Sequence, residues 1–163
     1  MESVYGYQGA YEESISAVTQ TPSVDIGARR IHKGEEYVYC YNAGGAAIDK
    51  NLGVKLITGA SGYSVAATSL TDTVNPCVGI VRHVTMAAGD YGWIMTKGFA
   101  NVRYHANSTI TGDYVAVGLS TDGRFGLAAF GTSVVGTNNV AGFALNANTA
   151  SGGTFYAFIR TGF

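Results

Sequence analysis

One stretch, Ala87–Tyr104 (AAGDYGWIMTKGFANVRY), does most to limit what this chain can fold into. A turn over Ala88–Asp90 leads into an extended run, Tyr91–Thr96, and a second extended run covers Phe99–Tyr104. Gly98 lies between the runs, where a glycine inside a strand pattern predicts a bend or a β-bulge. The stretch therefore predicts the middle of a small β-barrel or β-sandwich, and nothing in it is typical of a catalytic centre.

The first run contains the only tryptophan of the chain. Its side chains alternate with a period of two, as they do in a strand with two different faces. Tyr91, Trp93 and Met95 share one face, and the other face carries Gly92, Ile94 and Thr96. We expect Trp93, Tyr91 and Met95 to lie in the core or in a subunit interface.

The rest of the chain repeats this organisation in short segments. The chain has 23 glycines and 2 prolines, which favours short strands joined by tight turns. No long helical period occurs. The predicted strands cover residues 36–42, 53–58, 62–69, 77–84, 114–118, 124–130, 140–146 and 154–160. This pattern predicts an all-β body over residues 35–163, a small barrel or sandwich of short antiparallel strands.

The first 34 residues differ from this body. Met1–Gly34 has few aliphatic residues and no clear period, which predicts an extended N-terminal arm. Tyr5, Tyr7 and Tyr11 give this arm large contact areas at low entropic cost, which suits docking onto a neighbouring subunit. The alternative is a mobile tail without a partner.

The charge of the chain argues against several partners. Charged residues make up 13% of the sequence and the net charge is −1, so nucleic acid is not an expected partner. The basic cluster Arg29, Arg30 and Lys33 is followed directly by Glu35 and Glu36, which favours a solvated segment over a phosphate site. No apolar run is long enough to predict a transmembrane helix, and the N-terminus does not resemble a secretory signal. A weakly charged surface instead suggests contact with other proteins.

The residues that most often carry chemistry are sparse. Cys40 and Cys77 each lie in a predicted strand, which favours buried free thiols over a disulfide. No spacing typical of a metal site or of a cofactor site occurs, so none is expected. Asp90 and Asp113 both follow a glycine at a strand entrance, where closing a turn is a better interpretation than a catalytic pair.

A family resemblance rests on the order of several motifs. GIV at 79–81 is followed by AGDYGWIMTKG at 88–98 and by ITGD at 110–113, and the later motifs are DGR at 122–124, VAGFAL at 140–145 and FYAFIR at 155–160. With this order, the chain from about Glu35 to Phe163 resembles the small capsid decoration (cement, head-stabilising) proteins of tailed bacteriophages. No motif in the predicted arm takes part in the resemblance.

The resemblance implies a role that is not enzymatic. Such proteins add to the outer surface of an expanded head in the virion after assembly in the host cytoplasm, often as homotrimers. They contact the major capsid protein and resist the pressure of the packaged DNA. Two alternatives remain: another virion part (a tail, spike or coat subunit), and a β-barrel enzyme or ligand-binding module.

Overall fold

The structure is a computed structural model that describes residues 14–57, 62–68, 77–104, 114–117, 123–128, 140–145 and 153–161. Within these ranges it contains strands and no helix. In chain order the strands are β1 (Val18–Thr19), β2 (Arg29–His32), β3 (Glu35–Asn42), β4 (Leu52–Leu56), β5 (Ser64–Ala67), β6 (Cys77–Val81), β7 (Tyr91–Arg103), β8 (Tyr114–Val117), β9 (Phe125–Ala128), β10 (Val140–Ala144) and β11 (Thr154–Arg160).

Five of these strands close a barrel. They follow the order β3, β5, β4, β6 and β7, and β7 pairs back onto β3. The pair β3–β5 is parallel, and the other pairings around the ring are antiparallel. Outside the ring, β2 pairs with β3, β1 pairs with β7, and the order β11, β10, β8, β9 extends from β7 as a second sheet. The predicted all-β fold with a small barrel is confirmed.

The barrel interior is filled by aliphatic side chains and one thiol. All five barrel strands contribute, since the pleat sends every second side chain inward. The buried members of this inner core are Val38, Cys40, Ile48, Leu52, Val54, Val65, Val78, Val81, Met86 and Ile94.

A second core lies between the outside of the barrel and the second sheet. It is richer in aromatic rings than the inner core. Its buried members are Tyr37, Tyr39, Cys77, Ile80, Trp93, Met95, Ala100, Val102, Tyr104, Phe125, Ala141, Ala144, Phe155, Ala157 and Ile159. The sequence pattern of 36–42 predicts Tyr37, Tyr39 and Tyr41 on one face and Val38 and Cys40 on the other. This alternation is confirmed, because Tyr37 and Tyr39 lie in this outer core while Val38 and Cys40 lie inside the barrel.

Strand β7 belongs to both layers. Its first half pairs with β3, and its second half pairs with β11 from Lys97 to Arg103. The register with β3 shifts by one residue at Thr96, and Gly98 has a φ of 141°. The β-bulge predicted near Gly98 is confirmed, and it is the point where the strand passes from the barrel to the second sheet.

The predicted arm is wrong over its second half. Residues 14–34 contain β1 and β2, and Ile15, Val24 and Ala28 pack against the outer core. The polar strand Arg29–His32 needs few aliphatic residues because it gains its stability from backbone pairing with the edge of β3. Residues 1–13, including Tyr5, Tyr7 and Tyr11, lie outside the described residues.

Candidate interaction surface

Aromatic side chains lie side by side on the outer face of the second sheet. Phe158 on β11 is paired with Phe99 on β7 and, on its other side, with Phe143 on β10. Tyr156 lies two residues from Phe158, and its carbonyl accepts a hydrogen bond from the Leu145 amide at 2.8 Å. We call these five residues the aromatic face.

The aromatic face is exposed. The exposed fractions are 46% for Phe99, 43% for Phe143, 43% for Leu145 and 41% for Tyr156, and Phe158 is half-buried among them. The ring centroid of Phe99 lies 5.0 Å from that of Phe158 and 5.9 Å from that of Tyr156. Contiguous apolar side chains at a protein surface mark an interaction site, and aromatic residues are enriched in such sites.

The alternation of β11 explains how this face arises. Phe155, Ala157 and Ile159 point into the outer core, so Tyr156 and Phe158 point away from it. Strand β11 is therefore aromatic on both sides. A strand that only covered a core would carry polar residues on its outer side.

Basic residues flank the aromatic face at both ends. Arg160 on β11 is exposed and pairs with Lys97 on β7, next to the Phe99–Phe158 pair. At the opposite end Arg103 pairs with Thr154. The Lys97 ammonium lies 2.7 Å from the Glu36 carboxylate, and the Arg103 guanidinium lies 2.9 Å from that of Asp49. These ion pairs hold both side chains near the rim of the face.

The residues predicted for a core or subunit interface lie in the outer core. Trp93 is 3% exposed and Met95 is fully buried. Tyr91 is half-buried at the margin of this core, with its ring centroid 4.7 Å from that of Tyr41. The Arg30 guanidinium lies 6.0 Å from the centroid of the Trp93 ring, so strand β2 covers the tryptophan.

A polar cluster joins β3 to the segment that follows β6. The Tyr37 hydroxyl donates a hydrogen bond of 2.5 Å to the Glu35 carboxylate and accepts one of 3.2 Å from Arg82. Arg82 also forms an ion pair with Glu35. Since the only hydroxyl proton points at Glu35, the His83 Nε2 atom, 3.0 Å away, donates to Tyr37.

The ionisation of this cluster follows from these contacts. Partial burial alone would raise the pKa of Glu35, but the hydrogen bonds from Arg82 and Tyr37 outweigh it and hold this pKa below its usual value. Burial and the nearby Arg82 charge lower the pKa of His83. Burial and the bond to Glu35 raise the pKa of Tyr37. The Glu35 carboxylate, the Tyr37 hydroxyl and the Arg82 guanidinium are bonded to one another, so the cluster joins β3 to the segment that follows β6.

Asp90 closes a turn, as predicted. Its carboxylate accepts a hydrogen bond of 2.7 Å from the Ala87 amide and another from the Gln20 side chain. Asp113 lies outside the described residues. Among the residues that the structure describes, no group of three or more His, Cys, Asp or Glu side chains is arranged to hold a metal ion. The same residues include no helix long and apolar enough to cross a membrane.

Sequence reasoning missed the aromatic face. The signal was present in Thr154–Arg160. Phe155 and Tyr156 are consecutive there, so both sides of the strand carry an aromatic side chain. The sequence alone does not show that β7, β10 and β11 are neighbours in the sheet, because residues 104–139 separate β7 from β10 along the chain. The register of the second sheet brings their rings together.

A comparison of the chain with known protein families and with curated protein sequences finds no match.

Proposed function

We propose that this chain is a structural virion protein that binds the outer surface of a tailed-phage capsid and stabilises it against the pressure of packaged DNA. The observation that carries the proposal is the aromatic face on an all-β body of low charge. The sequence resemblance to capsid decoration proteins indicates that the partner of this face is part of a protein shell. The major capsid protein and further copies of the chain, most simply in a homotrimer, are the proposed partners.

The physical basis is attachment through apolar contacts. Burying the aromatic face removes apolar area from water, and at ~25 cal/mol per Å² a few hundred Å² stabilises an attachment by several kcal/mol before ordering costs. The net charge of −1 leaves little long-range electrostatic attraction or repulsion toward a neighbour. The proposed attachment is therefore expected to depend weakly on salt.

Stabilisation of the shell requires links between several subunits. A protein held at more than one point is released only when all its contacts break together, so weak individual contacts add to a durable link. In this proposal the barrel is a compact spacer and the chain performs no catalysis. Neither a cofactor nor a metal takes part.

The experiment compares heads assembled without this protein with the same heads after addition of the purified chain. Electron microscopy should show added density on the outside of the shell, and thermal release of DNA should move to higher temperature. The matched variants are Phe99→Ser/Phe158→Ser on the aromatic face and Ile26→Ser/Ile31→Ser, which changes two exposed apolar residues elsewhere.

We expect the first pair to reduce occupancy at least tenfold and the second pair to leave it unchanged. Circular dichroism and thermal unfolding establish that both variants remain folded. A full-length folded chain that leaves the heads undecorated would overturn the proposal.

A further inference from the structure

We propose that the aromatic face receives the N-terminal segment, residues 1–13, of an adjacent copy of this chain. This inference rests on the proposed function to the extent that decoration places copies side by side on the shell. The inference identifies the occupant of the face. Docking of this kind would link the decorating copies into a network.

The chemistry of the segment complements the face. Residues 1–13 carry three tyrosines, which match aromatic rings in size and geometry. They also carry Glu2, Glu12 and Glu13 and no lysine, arginine or histidine. At the rim of the face Lys97 and Arg103 are already paired with Glu36 and Asp49, so the exposed Arg160 supplies the positive charge that faces this segment. Charges of opposite sign around an apolar centre orient a segment and select it over other partners.

Reach favours a neighbouring copy over the same chain. Strand β1 pairs Val18 with Gly92, so the segment leaves the body near the start of β7. The aromatic face begins at Phe99, seven residues further along that strand (99 − 92 = 7), a span of about 23 Å at ~3.3 Å per residue. Residues 14–17 form a turn, closed by a hydrogen bond of 2.9 Å from the Ala17 amide to the Ser14 carbonyl, so they cover little of this span. Within one copy, about seven of the thirteen residues before this turn would be used to cover it.

That count leaves two of the three tyrosine rings of one copy short of their own face. The bridging residues would be those nearest the body, which include Tyr7 and Tyr11, and Tyr5 alone would reach the rings. If the aromatic face of an adjacent copy lies near Ser14, all three tyrosines can reach it. Docking in trans therefore uses the whole segment.

The first experiment is photocrosslinking with the full-length chain. The photoreactive residue p-benzoylphenylalanine replaces Phe143 in one variant and, as the control, Ile31 in another, since Ile31 is 53% exposed on β2. Equal amounts of ¹⁴N-labelled and ¹⁵N-labelled chain are mixed, irradiated in solution and on heads, and cleaved after glutamate. This cleavage isolates residues 3–12.

We expect the Phe143 probe to crosslink to residues 3–12 in mixed-isotope pairs, and the Ile31 probe not to do so. Crosslinks within a single copy only, or crosslinks from Phe143 only to the major capsid protein, would overturn the inference. The second of these results would leave the proposed function standing, because the chain would still decorate the heads.

The second experiment is a charge exchange. Arg160→Glu should weaken self-association in analytical ultracentrifugation at least tenfold, and adding Glu12→Lys and Glu13→Lys should restore most of the loss. Arg29→Glu, a change of the same sign at an exposed position on β2, is the control and should have no effect. Failure of the lysine changes to restore association would count against pairing between the segment and this rim.

Discussion

Met95 and Ala100 are five residues apart on β7 (100 − 95 = 5), yet both side chains lie buried in the same core. An odd separation in a regular strand would place them on opposite faces. The one-residue register shift at Thr96 and the left-handed φ of Gly98 reverse the alternation between them. Without this reversal Phe99 would point into the core and Ala100 toward solvent.

Gly98→Ala should therefore destabilise the protein by about 1–3 kcal/mol, since an L-residue is strained at this φ. A Cβ atom at Gly98 would also lie 2.8 Å from the Glu35 Cγ atom and 3.2 Å from the Met95 sulfur. Urea unfolding measures the change. Gly45→Ala is the matched control, because a Cβ atom there meets nothing within 4 Å. Equal stability of the two variants would contradict the role of Gly98.

Trp93→Ala should lower the free energy of unfolding by about 3–5 kcal/mol, as loss of a large buried aromatic side chain does. Trp93 packs edge-on against Tyr39, with ring centroids 5.2 Å apart, in the outer core. Phe99→Ala is the comparison at an exposed aromatic position and should cost less than about 1 kcal/mol. Unchanged stability of the Trp93→Ala protein would contradict the role of Trp93 in the outer core.

Glu35→Gln should lower stability at pH 7 by about 1–2 kcal/mol, in the range of a charge-assisted hydrogen bond. The pKa of Glu35 is depressed in the folded state, so its contribution is present above the ordinary value of 4.5 and is lost as the pH falls through the folded-state pKa. The difference between the two proteins should shrink below pH 4.5. Unfolding curves at pH 7, 5 and 3 measure it, and a difference independent of pH would contradict this assignment.

Two free thiols should titrate in the denatured protein without a reducing agent, because Cys40 and Cys77 are buried and unbridged. Burial raises the pKa of both thiols, that of Cys77 to about 12, so the native protein should react slowly with a thiol reagent at pH 8. Denaturation should restore fast reaction. Fewer than two thiols after denaturation would contradict the prediction.

Deletion of residues 1–34 should destabilise the body by several kcal/mol, since it removes β1, β2 and the packing of Ile15 and Val24 against the outer core. Deletion of residues 1–13 is the control and removes no described contact. Thermal unfolding distinguishes the two. Equal melting temperatures would show that β1 and β2 contribute little to the body.

The sequence was sufficient for the class of fold and for the central strand. Alternation identified the two faces of 36–42 and 91–96, because burial follows the pleat directly. It did not identify β1 and β2, since strands of two and four residues with one aliphatic side chain each are too short for a hydrophobic pattern and depend on the edge that they join. It also missed the aromatic face, because cross-strand neighbours are set by register rather than by local sequence.

The passage of β7 from barrel to second sheet has a mechanical consequence. A pull on the aromatic face along β7 acts on a covalent chain that continues into the barrel wall. The backbone hydrogen bonds that hold β7 to β3 and β11 lie across the strand, so such a pull loads many of them in shear at once. A pull that peels the second sheet apart strand by strand, beginning at its edge strand β9, would instead break the backbone hydrogen bonds in succession. The molecule should therefore resist tension best along the axis of β7.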